Sequence, residues 1–236
     1  FAYKLLRLRF HDELLLVNAS NLAAMLGTSA GQVSELRGVL PPWVLIFGLT
    51  GRDILPEERV AFLEKDIGDI ARQCNVSLES SLPGVQSQQI AETVLNPSPE
   101  PYWKIRSRGG CRDIFFLTTL NRTPEFIKTM CSRAEALQYP LSDVGMYLQP
   151  THLGTSCHVE FTLPYDPGDT GEAARMQELF TRASEDLDRQ GAFFSRPYGI
   201  WAEMAYRRNA EHTRVSRTVK ELFDPNNILN PGKLCF

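Results

Sequence analysis

Long apolar runs are missing from this 236-residue chain. None approaches the roughly 18 residues a membrane-spanning helix needs, so no membrane span is expected. Excess positive charge is missing too. Against 28 Asp and Glu stand 25 Lys and Arg, for a net charge of −3. That leaves no electrostatic footprint for nucleic acid. Cysteine is sparse: Cys74, Cys111, Cys131, Cys157 and Cys235, an odd number with no CxxC pair. Such usage fits a reduced, cytoplasmic setting. Cys74 and Cys131 fall in apolar helical patterns, as small buried hydrophobes do. No GxGxxG or similar cluster occurs, so no loop for a dinucleotide pyrophosphate is visible. What remains is 43% hydrophobic and 22% charged, which allows a core and excludes disorder. The length permits one large domain or two small ones. The chain opens on Phe1, inside an alternating segment that runs to Phe10, and reads as a piece of something longer.

Periodicity divides the rest. Residues 13–17 and 43–49 read as strands, and Asn21 to Leu40 as two short helices. Pro56 opens a helix in the favoured first-turn position. Its apolar face (Val60, Leu63, Ile67, Ile70, Ala71, Cys74) continues to about residue 74. Val76 to Leu82 reads as a returning strand and Gln86 to Leu95 as a helix. Asn96 to Pro101 is a turn-rich connector. Asp113 to Leu120 is a strand, followed by a helix with Thr123 as cap and Pro124 in its first turn. Strands at 144–149 and 156–163 come next. A helix ending at Gly191, a short strand at 192–195 and a last helix from about Ala202 to Phe223 complete the chain. This grammar predicts an α+β class: a ferredoxin-like, duplicated antiparallel sheet with helices packed on one face, plus a C-terminal helical tail.

The stretch Phe223-Asp-Pro-Asn-Asn-Ile-Leu-Asn-Pro-Gly-Lys-Leu234 is a helix terminator followed by tight turns. On composition alone, Ile228 and Leu229 plug an apolar pocket between those turns. The same stretch resembles the C-terminal signature of the vanillyl-alcohol oxidase/p-cresol methylhydroxylase superfamily of FAD-linked oxidases. The resemblance rests on Asp224, Pro225, Ile228, Leu229, Asn230, Pro231, Gly232 and Lys233. Three further stretches fit that family in order: 109–116, 149–161 and 191–202. The resemblance implies a flavoenzyme in which one domain binds FAD and another caps the flavin ring. Residues 1–200 would be the cap domain, and 201–236 a tail packing on a FAD-binding domain or subunit outside this chain. It also implies non-covalent FAD, since Asp113 lies near the position that some members use for a covalent link. A homo-oligomer is compatible with all of this.

Candidate site residues follow. His158 and Glu160 are two apart on one strand and share a face. His158 could donate to a substrate oxygen, and Glu160 could orient it or take a proton. Both also suit the polar face of an ordinary strand. His152 would complete a metal set with them, but the pattern here is His-Val-Glu where the family's metal-dependent members have His-x-His. No metal is expected. The phenol-oxidising members carry a Tyr-Arg pair near residue 196; here Ser195 precedes Arg196. Arg196 could hold a phenolate or carboxylate. Tyr147, Phe161 and Tyr198 are expected pocket walls for a small-molecule substrate. Asn230 and Lys233 are expected cofactor contacts. The basic residues Arg207, Arg208, Arg214, Arg217 and Lys220 read as a solvated helix face. Two other functions stay open: the same chemistry on a 2-hydroxy acid, and a non-enzymatic module that binds a ligand or partner.

Overall fold

One pair of strands, 145–151 and 156–165, meets across a short turn, and the other pairings of the sheet join segments 25 or more residues apart. The computed structural model describes residues 1–9, 13–96 and 102–231. It begins with α1 (Ala2–Leu8), β1 (Glu13–Asn18), α2 (Ala19–Leu26), α3 (Ala30–Val39) and β2 (Trp43–Gly48). Then come α4 (Pro56–Gln73), β3 (Ser81–Leu82), β4 (Val85–Gln86), α5 (Ser87–Leu95) and α6 (Trp103–Arg106). The second half holds β5 (Gly110–Thr118), α7 (Thr123–Ala136), β6 (Gly145–Thr151), β7 (Ser156–Tyr165) and α8 (Thr170–Arg189). Last are α9 (Ile200–Arg207) and α10 (Ala210–Phe223). The class is α+β, with one antiparallel five-stranded sheet in the order β2-β1-β6-β7-β5.

Register decides what each face carries. Val17 stands opposite Tyr147, Tyr147 opposite Glu160, and Glu160 opposite Phe115. Residues opposite one another share a face, and their chain neighbours point the other way. One face holds Ile114, Phe116, Met146, Leu148, Val159 and Phe161, buried under α7 and α8. Leu14 extends it toward Leu5 of α1 and Ile67 of α4. The other face holds Leu15, Val17 and Val44, packed against α2 and α3 through Leu22, Ala23, Leu26, Val33 and Leu36. Helices therefore cover both faces, not one as expected. The reason is local: Leu14-Leu15-Leu16-Val17 is apolar on both sides and leaves no side to expose.

From β5 onward the order is strand, helix, strand, strand, helix, and then a bridge back to the starting strand. That bridge pairs Phe193 with Leu117 antiparallel, with N–H···O distances of 2.8 and 3.1 Å. It is all that forms of the strand expected at 192–195. Gly191 ends α8 at φ 96°, a conformation that favours glycine.

Other expectations shift as well. The opening segment is helical, not extended. Of the strand expected at 76–82, only Ser81–Leu82 forms, paired with β4. Thr123 does not cap α7; its hydroxyl donates to Leu120 O at 2.8 Å. The last helix is two helices, because the Asn209 side chain accepts from His212 N at 2.9 Å and starts a new one. Trp201 is fully buried, stacks on Phe194 at 4.8 Å and donates to Ser184 Oγ at 2.9 Å. That ties α9 to the main core.

Candidate functional site

On the α2/α3 side of the sheet, α2 and α3 pack on β1 and β2, while along the strip of β6, β7 and β5 on that side most side chains are half-buried. The pleat puts Tyr147, His158, Glu160, Asp113 and Phe115 on that strip. His158 lies between two rings, with centroids 6.0 Å from Phe115 and 6.1 Å from Tyr147. Tyr198 and Trp201 close the far side, with Tyr198 6.3 Å and Trp201 5.2 Å from Phe115.

A charged group sits among these rings. Glu160 Oε2 faces His158 Nε2 at 3.8 Å, an ion-pair distance longer than a hydrogen bond. Lys104 Nζ donates to Glu160 Oε1 at 2.6 Å and to Asp113 Oδ2 at 2.8 Å. The Lys104 side chain is only 9% exposed. It comes from α6, a single turn that Arg106 fastens by donating to Gly27 O at 2.7 Å, at the end of α2.

Burial works against charge on Lys104, but the carboxylates of Asp113 and Glu160 outweigh it and raise the pKa above the ordinary 10.5. Burial also opposes ionisation of Glu160. His158 and Lys104 overcome it and hold the carboxyl below its ordinary 4.5. Burial, then the Glu160 charge, pushes Tyr147 up to about 12. Burial and Asp113 push Cys111 to about 12, so its thiol stays protonated at neutral pH and is a poor nucleophile.

The other expected site residues fall elsewhere. Phe161 points to the opposite face, fully buried 6.1 Å from Phe116 under the helices, so it is core and not a pocket wall. One position's shift in the strand alternation decides that. Arg196 is exposed on the loop before α9, outside the hydrogen-bonded group. Asn230 is exposed in the terminal turns, with φ 50°. Lys233 lies outside the described residues, as does the side chain of His152. Among the described residues no cluster of three or more His, Cys, Asp or Glu could hold a metal.

Sequence reasoning missed Lys104 altogether. It is 56 residues from Glu160 and sits on one helical turn, so no periodic signal marks it. The terminal turns are held by Asp224, whose carboxylate accepts from Ile228 N at 2.8 Å and Leu229 N at 2.9 Å. Ile228 and Leu229 are exposed and do not plug a pocket. Four of the basic residues pair with acids: Arg207 with Glu203, Arg208 with Asp188, Arg214 with Glu211 and Lys220 with Asp224.

Residues 119–234 match the family model for FAD linked oxidases, C-terminal domain. That span takes in His158, Glu160, Arg196, Tyr198 and Asn230. Among curated proteins, none matches this chain. Among solved structures, the 4-ethylphenol oxidase from Gulosibacter chungangensis, as an isoeugenol complex, is similar over 98% of this chain at 14% identity and TM-score 0.62. An alkyldihydroxyacetonephosphate synthase aligns over 99% at 12% identity and TM-score 0.49. This chain spans 50% and 42% of the lengths of those two proteins. The oxidase likeness concerns the fold.

Proposed function

We propose that this chain is the substrate-facing part of a FAD-dependent oxidoreductase of the vanillyl-alcohol oxidase/p-cresol methylhydroxylase type. Its substrate is an aromatic alcohol or alkylphenol that yields a hydride to flavin. The observation that carries this is the meeting of His158, Glu160, Phe115 and Tyr147 on one half-buried strip of sheet, with Tyr198 beside Phe115. Rings offer a flat apolar wall, and the imidazole and carboxylate offer a donor and an acceptor beside it. The family match at 119–234 supports the flavin, and the fold likeness to a phenol oxidase supports the substrate class.

The residues present suit one wall of a flavin site. His158, Tyr147 and Tyr198 offer rings beside a carboxylate, while the chain has no glycine-rich turn for a pyrophosphate. The phosphates therefore belong to another domain, with Asn230 and Lys233 assigned to the cofactor's edge. FAD, when bound, supplies the two-electron acceptor. The chain's own part is to hold the substrate and move a proton. His158 donates to the substrate oxygen. As the carbon loses its hydride the O–H proton must also leave, and Glu160 Oε2, kept ionised beside Lys104, accepts it. Arg196 is assigned to the oxygen's developing negative charge.

A 2-hydroxy acid is the second reading of the substrate class, with Arg196 holding its carboxylate. The FAD-binding domain is assigned to the tail. No residue of α10 is buried, and Val215, Val219, Leu222 and Phe223 are exposed. We also read β5 to Phe193 as a ferredoxin-like unit, on its strand order, and the free cysteines as fitting the cytoplasm.

Anaerobic mixing of the full-length, FAD-loaded protein with candidate substrates tests the reading. Bleaching of the flavin by an alkylphenol or aromatic alcohol is expected. Bleaching by 2-hydroxy acids alone would overturn the substrate class, and no bound flavin at all would overturn the enzyme.

A further inference from the structure

Glu160 has two oxygens with different surroundings. Oε1 is 2.6 Å from Lys104 Nζ, and Oε2 faces His158. Lys104 is in turn fixed by Asp113 across the β5–β7 pair and lies 5.4 Å from the Trp103 ring centroid. Its ammonium has three hydrogens, and two are committed to carboxylates of different strands. A lysine head this buried is costly unless its charge is matched, so burial and pairing together hold it in place. α6, which carries it, is itself anchored by Arg106.

We propose that Lys104 is a positioning residue of this site: by clamping Glu160 Oε1 to Asp113 Oδ2 across the two strands, it fixes the carboxylate orientation that presents Oε2 to His158. This rests on the proposed role of the His158–Glu160 pair and adds the residue that sets its geometry. Asp113 becomes the outer arm of the clamp, and the single ammonium is divided between two acids. Replacing the ammonium with a neutral group leaves Glu160 Oε1 only the long contact from the Thr162 hydroxyl, at 3.4 Å, and leaves two carboxylates facing each other.

The groups that act on Glu160 come from every side of it. They are His158 on β7, Asp113 on β5 with Cys111 behind it, Tyr147 on β6, Tyr198 before α9, and Lys104 on α6. Of these, Lys104 and His158 favour the carboxylate and Asp113 disfavours it by like charge. Without Lys104 the ionisation of Glu160 must move up. With Asp113 neutralised it must move down.

Two readings of the full-length, FAD-loaded protein test this. One is the carboxyl ¹³C shift of Glu160 against pH, assigned by its absence in Glu160→Gln. The other is the pH profile of flavin reduction by an alkylphenol. Lys104→Met should raise the Glu160 midpoint by about one unit or more, and the acid limb of the profile should follow it. Lys104→Arg should restore both, and Asp113→Asn should lower the midpoint. A Lys104→Met protein that retains flavin and titrates like the wild type would overturn the proposal. If Lys104→Met does not fold, Lys104→Gln, which keeps a polar head without the charge, decides: an unchanged Glu160 midpoint in that variant overturns the clamp. If Glu160→Gln reduces flavin at the wild-type rate, the site reading fails, whereas the ¹³C titration still reports on Lys104.

Discussion

Glu160 and Phe161 are adjacent, yet one faces a half-buried strip and the other a packed core. Their substitutions should separate accordingly. Glu160→Gln should slow substrate reduction of the flavin by about 10²–10⁴-fold, the range for a lost acid–base group, as read by stopped-flow absorbance. Phe161→Ala should leave the reaction's pH profile unchanged and cost about 3–5 kcal/mol in a urea titration, because a fully buried ring is lost. The ionisation of Glu160 also sets a pH window. Its folded pKa is depressed, so its contribution to stability is complete above the ordinary 4.5 and lost as pH falls through the lowered value. Lys104 runs the other way: its raised pKa gives a contribution present below 10.5 and lost only at more alkaline pH. Denaturation midpoints of wild type and Glu160→Gln, compared from pH 7 down to acid, should converge toward the acid end. That His158 and Glu160 share a face was legible from spacing alone. That Phe161 faces away follows from the same alternation, which applies to every residue in the strand.

Elements meet at a few polar side chains, and Asn18 is one. At the end of β1 its Oδ1 accepts from Asn21 N at 3.0 Å, capping α2, and from Met146 N at 2.9 Å. Its Nδ2 donates to Val144 O at 2.8 Å. One side chain thus starts a helix and joins the N-terminal strands to β6. Asn18→Ala should cost about 1–3 kcal/mol, since capping and partly buried partners are lost together, and urea denaturation measures it. Asp224 does the same for the terminal turns through Ile228 and Leu229. Asp224→Ala should speed amide exchange at those two positions while the sheet amides keep their protection. The turn chemistry of Asp-Pro-Asn-Asn was readable as a helix stop. The split at Asn209 was less so, because the apolar spacing runs on through it and only the cap breaks the helix.

For the whole molecule, the face left bare on α10 is the main prediction. Leu222 is 75% and Phe223 80% exposed, and neither packs on this chain's own sheet. Leu222→Asp with Phe223→Asp should leave the fold of this chain intact by circular dichroism but weaken the hold of the proposed FAD-binding domain. Flavin retained after gel filtration of the full-length protein should fall. An unchanged flavin content would remove α10 from that interface. A groove of about 570 Å³ between α9 and α10, lined by Arg207, Arg214, Arg217 and Glu221, lies on the same part of the molecule and contains none of the His158 cluster.

The sequence by itself determined the class, most of the strands and helices, the closing turns and the resemblance to FAD-linked oxidases. Periodicity and turn chemistry act over a few residues, so they are written locally. The tertiary structure decided which face each helix covers, that α9 joins the main core, and which charge meets Glu160. Those depend on pairing residues 14 and 16 with helices 50 residues away, and on carrying Lys104 across 56 residues of chain. Long-range contacts are chosen by the total burial and charge matching of the whole sheet, and no short stretch of sequence contains that sum.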